Sequence, residues 1–336
     1  MIIGAHVSTS GGLVKACERA GDIGANGMQI FTGSPRMWKG KAAENFEVGG
    51  LREAVEKCNI EYLVIHATYL VNLASDKPEL VSKSVDSLVN DMKIADKLAG
   101  EMGAESMGVV VHLGSHQGRG YEAMREQLVE QIEKVLKLSA GANRSRFLIE
   151  NSAGQKGKIA SRLSEVKDLI DGVGDPRLGW CFDTCHGFAA GYSLLANPKS
   201  QILNQKQSQN SNAPNSQQSQ MSLLGDDGVK KRYTSYDIRD TKAVESGDRG
   251  FVFEEIDKYN LWKTLGCVHV NDSRDPFGSG RDRHANIGDG LIPSEELQGF
   301  VSEARVKERP LILEVPGMDG KGPDRENVEL LKRLVG

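Results

Sequence analysis

The sequence has little of what marks several large classes of protein. Ten prolines in 336 residues are too few for a Pro-rich or collagen-like chain. The five cysteines (Cys17, Cys58, Cys181, Cys185, Cys267) are odd in number and scattered. That set does not suggest a disulfide framework and fits a reducing cytoplasm. No apolar run approaches the roughly 20 residues of a membrane-spanning helix. Met1 leads straight into IIGAHVS without a charged n-region or cleavage site, so secretion is not expected. Positive charge is not in excess either: 42 Lys and Arg stand against 46 Asp and Glu, a net charge of −4. Coating nucleic acid by bulk electrostatics is therefore excluded, although a local basic or metal-lined site is not. With 39% hydrophobic residues the chain can build a core of its own, as one large domain or two ordinary ones.

What is present is a regular alternation. Short β-rich apolar runs are expected as strands at 2–7, 27–31, 62–67, 108–113, 146–151, 178–184, 265–271 and 310–316. Several, such as LVIH, VVVH, FLIE and LILE, are apolar almost without a break, as parallel strands buried on both faces are. Amphipathic stretches at 13–21, 46–58, 80–98, 121–138, 161–169, 251–261, 294–303 and 325–334 are expected as helices. Eight such repeats predict a single α/β domain over 1–336, a (β/α)₈ TIM barrel. The barrel uses about 250 residues, and part of the surplus is a Gln/Asn/Ser-rich insertion at 197–231. Its apolar content is too low to pack, so it is expected as a disordered loop. Lys230–Lys231–Arg232 at its end reads as a solvated charge run.

Polar residues close six successive strands. His66 ends LVIH, His112 ends VVVH, Glu150 ends FLIE, and Asp183 ends WCFD with His186 three residues on. His269 lies in CVHVND, and Glu314 ends LILE. In a barrel these ends converge at the C-terminal mouth, where active sites sit. Converging carboxylates would repel one another and raise one another's pKa. A metal cluster removes that cost, and imidazole with carboxylate is a usual ligand set for zinc and related divalent ions. Asp282 and His284, two apart in an extended segment, leave the same face and can bind one ion together.

The segments GAHVS, HATYLVNLAS, HLGSH, IENSAG, FDTCHGFAAGY, YDIRDTKA, VHVNDS, GRDRHANIGDG and LILEVPG resemble, in order, the endonuclease IV family of zinc-dependent apurinic/apyrimidinic endonucleases. The resemblance runs from Ile3 to Gly317, apart from the polar insertion. It implies a (β/α)₈ barrel with three zinc ions at its mouth. His66, His112 and Glu150 would hold the first. Glu150 as a bridge, Asp183, His269 and Glu314 would hold the second, and His186, Asp282 and His284 the third. It implies hydrolysis of the phosphodiester 5′ to an abasic site in double-stranded DNA, leaving 3′-hydroxyl and 5′-deoxyribose-phosphate ends, and removal of 3′ blocking groups. Glu150 would be the catalytic bridge between two ions that activate one water. Arg36, Tyr69 and Leu70 would contact DNA where the base is missing. His6 is expected behind the ligands or in packing, and His116 in orienting ligands, touching phosphate or structure. The chain departs from the family's usual pattern at Gly33-Ser34, where a longer polar or basic residue is common, and at Gly280, where Arg is common. A monomeric cytoplasmic enzyme is the expectation. A sugar isomerase or epimerase with one metal on Glu150, Asp183, His269 and Glu314 is the alternative.

Overall fold

Segments buried on both faces and rich in β-branched residues form the staves of the computed structural model, which describes residues 1–38, 40–195 and 250–336. Seven strands come first: β1 (Ile3–His6), β2 (Gly27–Ile30), β3 (Tyr62–His66), β4 (Met107–Val111), β5 (Ser145–Glu150), β6 (Leu178–Asp183) and β7 (Leu265–His269). A short antiparallel pair, β8 (Asp272–Ser273) and β9 (His284–Ala285), precedes the eighth stave, β10 (Leu311–Leu313). The eight staves close into a barrel in the order β1-β10-β7-β6-β5-β4-β3-β2, with every pairing parallel. Ten helices are described: α1 (Leu13–Asp22), α2 (Leu51–Cys58), α3 (Pro78–Met102), α4 (Arg125–Leu138), α5 (Leu163–Val173), α6 (Thr184–Ala190), α7 (Val252–Lys258), α8 (Ser294–Ser302), α9 (Ala304–Lys307) and α10 (Arg325–Val335). The fold is the expected single-domain TIM barrel. None of the described helices is long and apolar enough to cross a membrane.

Several helix boundaries differ from the sequence reading, and two of them have plain local reasons. α2 begins at Leu51 and not at residue 46, because Gly50 before it adopts φ 76° and cannot sit inside a helix. α3 runs on past residue 98, since Leu98 and Ala99 continue its buried stripe, and it stops at Gly103, which takes the left-handed conformation. The strands also end one to three residues early. His112 and Glu314 therefore sit just beyond β4 and β10, where the chain turns into the mouth. The polar stretch 197–231, the run Lys230–Lys231–Arg232 and the YDIRDTKA segment lie outside the described residues.

The barrel interior is a packed layer of its own, made by Val64, Val110, Leu148, Cys181, Cys267 and Ile312. Leu148 reaches across it. A Cβ added at Gly108 or Gly266 would stand 2.5 or 2.8 Å from its methyl carbons. These glycines leave the room that the leucine fills, so the floor beneath the mouth is solid, as a barrel core should be.

Candidate metal centre

The mouth opens above that floor as a cavity of about 1130 Å³. His66, His112, His186, Asp282, His284 and Glu314 are among its walls. All nine sequence-predicted ligands meet here. His66, His112 and Glu150 offer donor atoms within 4.8 Å of one another, and so do Glu150, Asp183, His269 and Glu314. Asp183, His186 and His284 form a third group. Asp282 joins that third group through Oδ1, 3.0 Å from His186 Nε2 and 3.6 Å from His284 Nε2.

Local structure explains how one short segment delivers two candidate ligands. Asp183 ends β6 and caps α6, where its Oδ1 accepts the backbone N–H of His186 at 2.8 Å. The DTCH spacing is thus a strand end, a helix cap and a first-turn histidine in succession. Asn151 locks the junction from β5: its Oδ1 accepts the Asp183 N–H at 2.6 Å and its Nδ2 donates to the Asp183 carbonyl at 3.1 Å.

The hydrogen bonds assign a proton to one nitrogen of each of four imidazoles. His66 Nδ1–H donates to the Ala67 carbonyl at 2.7 Å and His186 Nδ1–H to the Asn151 carbonyl at 3.0 Å. His284 Nδ1–H donates to the Glu314 carbonyl at 3.4 Å, and His269 Nε2–H to Gln29 Oε1 at 2.8 Å. A neutral ring protonated on one nitrogen presents a lone pair on the other. Those second nitrogens all face carboxylate oxygens. His66 Nε2 is 3.3 Å from Glu150 Oε2, and His269 Nδ1 is 3.1 Å from both Glu150 Oε1 and Glu314 Oε2. His284 Nε2 is 3.6 Å from Asp183 Oδ2. Lone pair facing lone pair is repulsive unless a proton or a metal cation stands between them. Glu150 Oε2, His186 Nε2 and His284 Nε2 are moreover buried without a hydrogen-bond partner. The donor set therefore fits divalent ions, with each ring held from behind by a neutral carbonyl or amide oxygen.

The electrostatics point the same way. Burial works against a charged imidazole at His186 and His269, yet Asp183 and Asp282 around the first, and Glu314 and Glu150 around the second, raise both well above the ordinary value. Burial would push Glu150 up, but the surrounding imidazoles, His112 foremost, hold it well below the usual carboxylate range. His112 itself is lowered to about 4 by burial, with Glu150 opposing. The mouth thus calls for positive charge, which a proton on the rings or a bound cation can supply.

The remaining candidates divide. His6 lies against the site: its ring packs on Phe31 at 4.5 Å, and its Nδ1 is 3.9 Å from Glu314 Oε1. Tyr69 is 57% exposed, edge-on to Phe31 and His66 at the rim, with Leu70 beside it in the cavity wall. Arg36 is exposed on the neighbouring loop. The two loops are tied together, since the Pro35 carbonyl accepts from Thr68 Oγ1 at 2.7 Å and from the Tyr69 N–H at 3.1 Å. His116 stands apart, in the wall of a separate cavity. Its Nδ1 accepts the N–H groups of Gly118 and Gly120, and its ring lies where a Cβ on Gly157 would come within 2.4 Å. Its observed contacts are with its own loop and its neighbour.

Sequence reasoning passed over Gln29, Asn151, Asn271 and Lys158. Asn271 Nδ2 donates to Asp183 Oδ2 at 2.6 Å, and Lys158 Nζ is 3.0 Å from Asp282 Oδ2. The signal available for the two asparagines is position, one or two residues after a strand-end ligand. Nothing in GMQI or QKGK separates Gln29 or Lys158 from an ordinary polar residue.

Comparison with known proteins agrees with this geometry. Residues 17–334 match the family model described as a xylose isomerase-like TIM barrel. A protein named probable endonuclease 4 from Halothermothrix orenii is 33% identical over 334 residues, covering 99% of this chain and 100% of that one. Its namesake from Methanoculleus marisnigri is 31% identical, covering 100% and 99%. The solved structure of endonuclease IV from Thermus thermophilus superposes with a TM-score of 0.70 at 29% identity, over 100% and 99% of the two chains. A D-tagatose 3-epimerase-like protein superposes at 0.60 with 17% identity, a likeness of fold.

Proposed function

Because the chain belongs to the endonuclease IV family of apurinic/apyrimidinic endonucleases, we propose that it hydrolyses the phosphodiester 5′ to an abasic site in double-stranded DNA. The products are 3′-hydroxyl and 5′-deoxyribose-phosphate ends, and the same site removes 3′ blocking groups. The observation that carries the proposal is the set of four imidazoles, each bonded through one nitrogen to an uncharged oxygen behind it and turning its other nitrogen toward carboxylates at the mouth.

Three zinc ions are the proposed cofactors. His66, His112 and Glu150 hold one, Glu150, Asp183, His269 and Glu314 a second, and His186, Asp282 and His284 a third. Ions so held supply water activation near neutral pH and neutralise charge on the phosphate. The protein's part is placement. Glu150 uses its two oxygens in two directions, Oε2 toward His66 and His112 and Oε1 toward His269, which suits a bridging carboxylate. Its low proton affinity keeps both oxygens free to bind. Tyr69 and Leu70 offer an aromatic and an apolar surface at the rim to replace the stacking lost with the base, and Arg36 a cation for the backbone. The direct check is an abasic-site duplex. Wild-type protein cuts it once, on the 5′ side, and Glu150→Ala lowers the rate by about a thousandfold or more with little loss of structure.

An epimerase reading draws on the four-residue set Glu150, Asp183, His269 and Glu314, which alone could hold one ion. It leaves His66, His112, His186, Asp282 and His284 without a purpose, and the nuclease reading uses them all.

A further inference from the structure

We propose that Gln29 is a positioning residue that holds His269 in its metal-binding tautomer and fixes one oxygen of Glu314. Gln29 is fully buried in β2, beside His6 of β1 in the sheet register. An amide in that place must be satisfied by neighbours, and all its partners belong to the metal centre or touch it. Its Oε1 accepts from His269 Nε2 at 2.8 Å. Its Nε2 donates to Glu314 Oε1 at 2.6 Å and to His6 Nδ1 at 2.9 Å. The opposite amide orientation would set an oxygen against Glu314 Oε1, acceptor against acceptor, so the network itself decides which end is which.

The consequence falls on His269. The neutral ring has two tautomers, and its surroundings pull on them differently. Glu150 Oε1 and Glu314 Oε2, each 3.1 Å from Nδ1, would draw the proton to Nδ1. There it blocks the second ion. Gln29 Oε1 draws the proton to Nε2 and leaves Nδ1 free to bind. With an ion on Nδ1, the Nε2–H must remain, fully buried, and the acceptor it meets is Gln29. Removing the amide thus orphans an N–H in the loaded state and favours the blocked tautomer. At the same time Glu314 Oε1 loses a donor and the carboxylate loses its fixed direction. Both effects weaken the second site and leave the first and third untouched. His6 gains a purpose of the same kind: it takes the amide's other N–H and prevents the glutamine from turning.

The inference rests on the metal-site reading above, and its test separates the two. Zinc is titrated into wild-type, Gln29→Leu and Gln29→Glu proteins against a chelator of known affinity, and the histidine side-chain N–H signals are followed by ¹⁵N NMR in the zinc-loaded state. If the wild type holds no zinc cluster, the metal reading fails. If it does, Gln29→Leu should weaken one ion of the cluster by about 10- to 100-fold and lose the exchange-protected His269 Nε2–H. Gln29→Glu keeps an acceptor in place and should retain that signal, which also covers the case in which the leucine variant does not fold. Unchanged zinc affinity in Gln29→Leu, equal loss of every ion, or loss of the His269 signal in Gln29→Glu would each overturn the role assigned to Gln29.

Discussion

At the scale of single residues the mouth of the barrel is a problem in where protons sit. Each of four rings gives one N–H to an uncharged oxygen and faces acid groups with the other nitrogen. Glu150 is the residue on which most of these arrangements meet. Glu150→Gln is the sharper companion to the alanine variant. It keeps the shape, removes the charge and places an amide N–H against one of the ring lone pairs. Bound zinc should fall by at least one ion per chain, read by elemental analysis, with incision falling in parallel. Tyr69 tests recognition apart from chemistry. Its side chain is mostly exposed, so Tyr69→Ala should leave the melting temperature within about 2 °C, as surface substitutions usually do. Affinity for an abasic-site duplex should drop by about 5- to 100-fold, the range expected for a lost stacking platform. Equal binding by the variant in a fluorescence-anisotropy titration would remove Tyr69 from the interface.

At the scale of elements, strand ends carry most of the candidate ligands, and helix-to-loop ties hold the rim. The rim loop after β2 is anchored to α3 by Thr32, whose Oγ1 donates to Asp91 Oδ1 at 2.7 Å. Burial pushes the Asp91 carboxyl up to about 7, with the Thr32 hydrogen bond opposing. A folded-state pKa above the unfolded one favours folding with the proton on. The stability is complete below about pH 4 and is lost as pH rises through about 7, to a total on the order of 4 kcal/mol. Asp91→Asn should therefore raise the urea midpoint at pH 8 and change it little at pH 4. A gain at pH 4 as large as at pH 8 would contradict the buried acid. Within the barrel, Gly108→Ala should cost about 1–3 kcal/mol by denaturant titration, because its Cβ would overlap Leu148. The elements show why so much was legible in the sequence. Unbroken apolar runs closed by His, Asp or Glu give both the stave and a candidate ligand at or near its tip, so β3 to β7 and β10 could be read with His66, His112, Glu150, Asp183, His269 and Glu314, while His186, Asp282 and His284 were legible only from the local spacings DTCH and DRH. Gln29 could not, since its importance depends on His269 and Glu314, which come near only when β2, β7 and β10 close the barrel. The boundary of α2 depends on Gly50, which periodicity alone does not weigh.

At the scale of the whole molecule, charge and metal change one another's meaning. The net charge of −4 counts the four proposed ligand carboxylates bare. Three divalent ions would bring the formal charge to about +2, gathered where a phosphate has to bind. Ion binding that needs the assembled barrel must also stabilise it. Free zinc at about 100 times the dissociation constant adds about 2.7 kcal/mol per site. Chelation should accordingly lower the melting temperature as well as stop the reaction, and added zinc should restore both. The measurement closest to the central claim joins stoichiometry to activity: zinc per chain by elemental analysis, alongside incision of an abasic-site duplex before chelation, after it and after zinc is returned. The account predicts about three ions per chain and a single cut 5′ to the lesion that disappears and returns with the metal. About one ion per chain, with no incision in any state and turnover of a ketose, would contradict it.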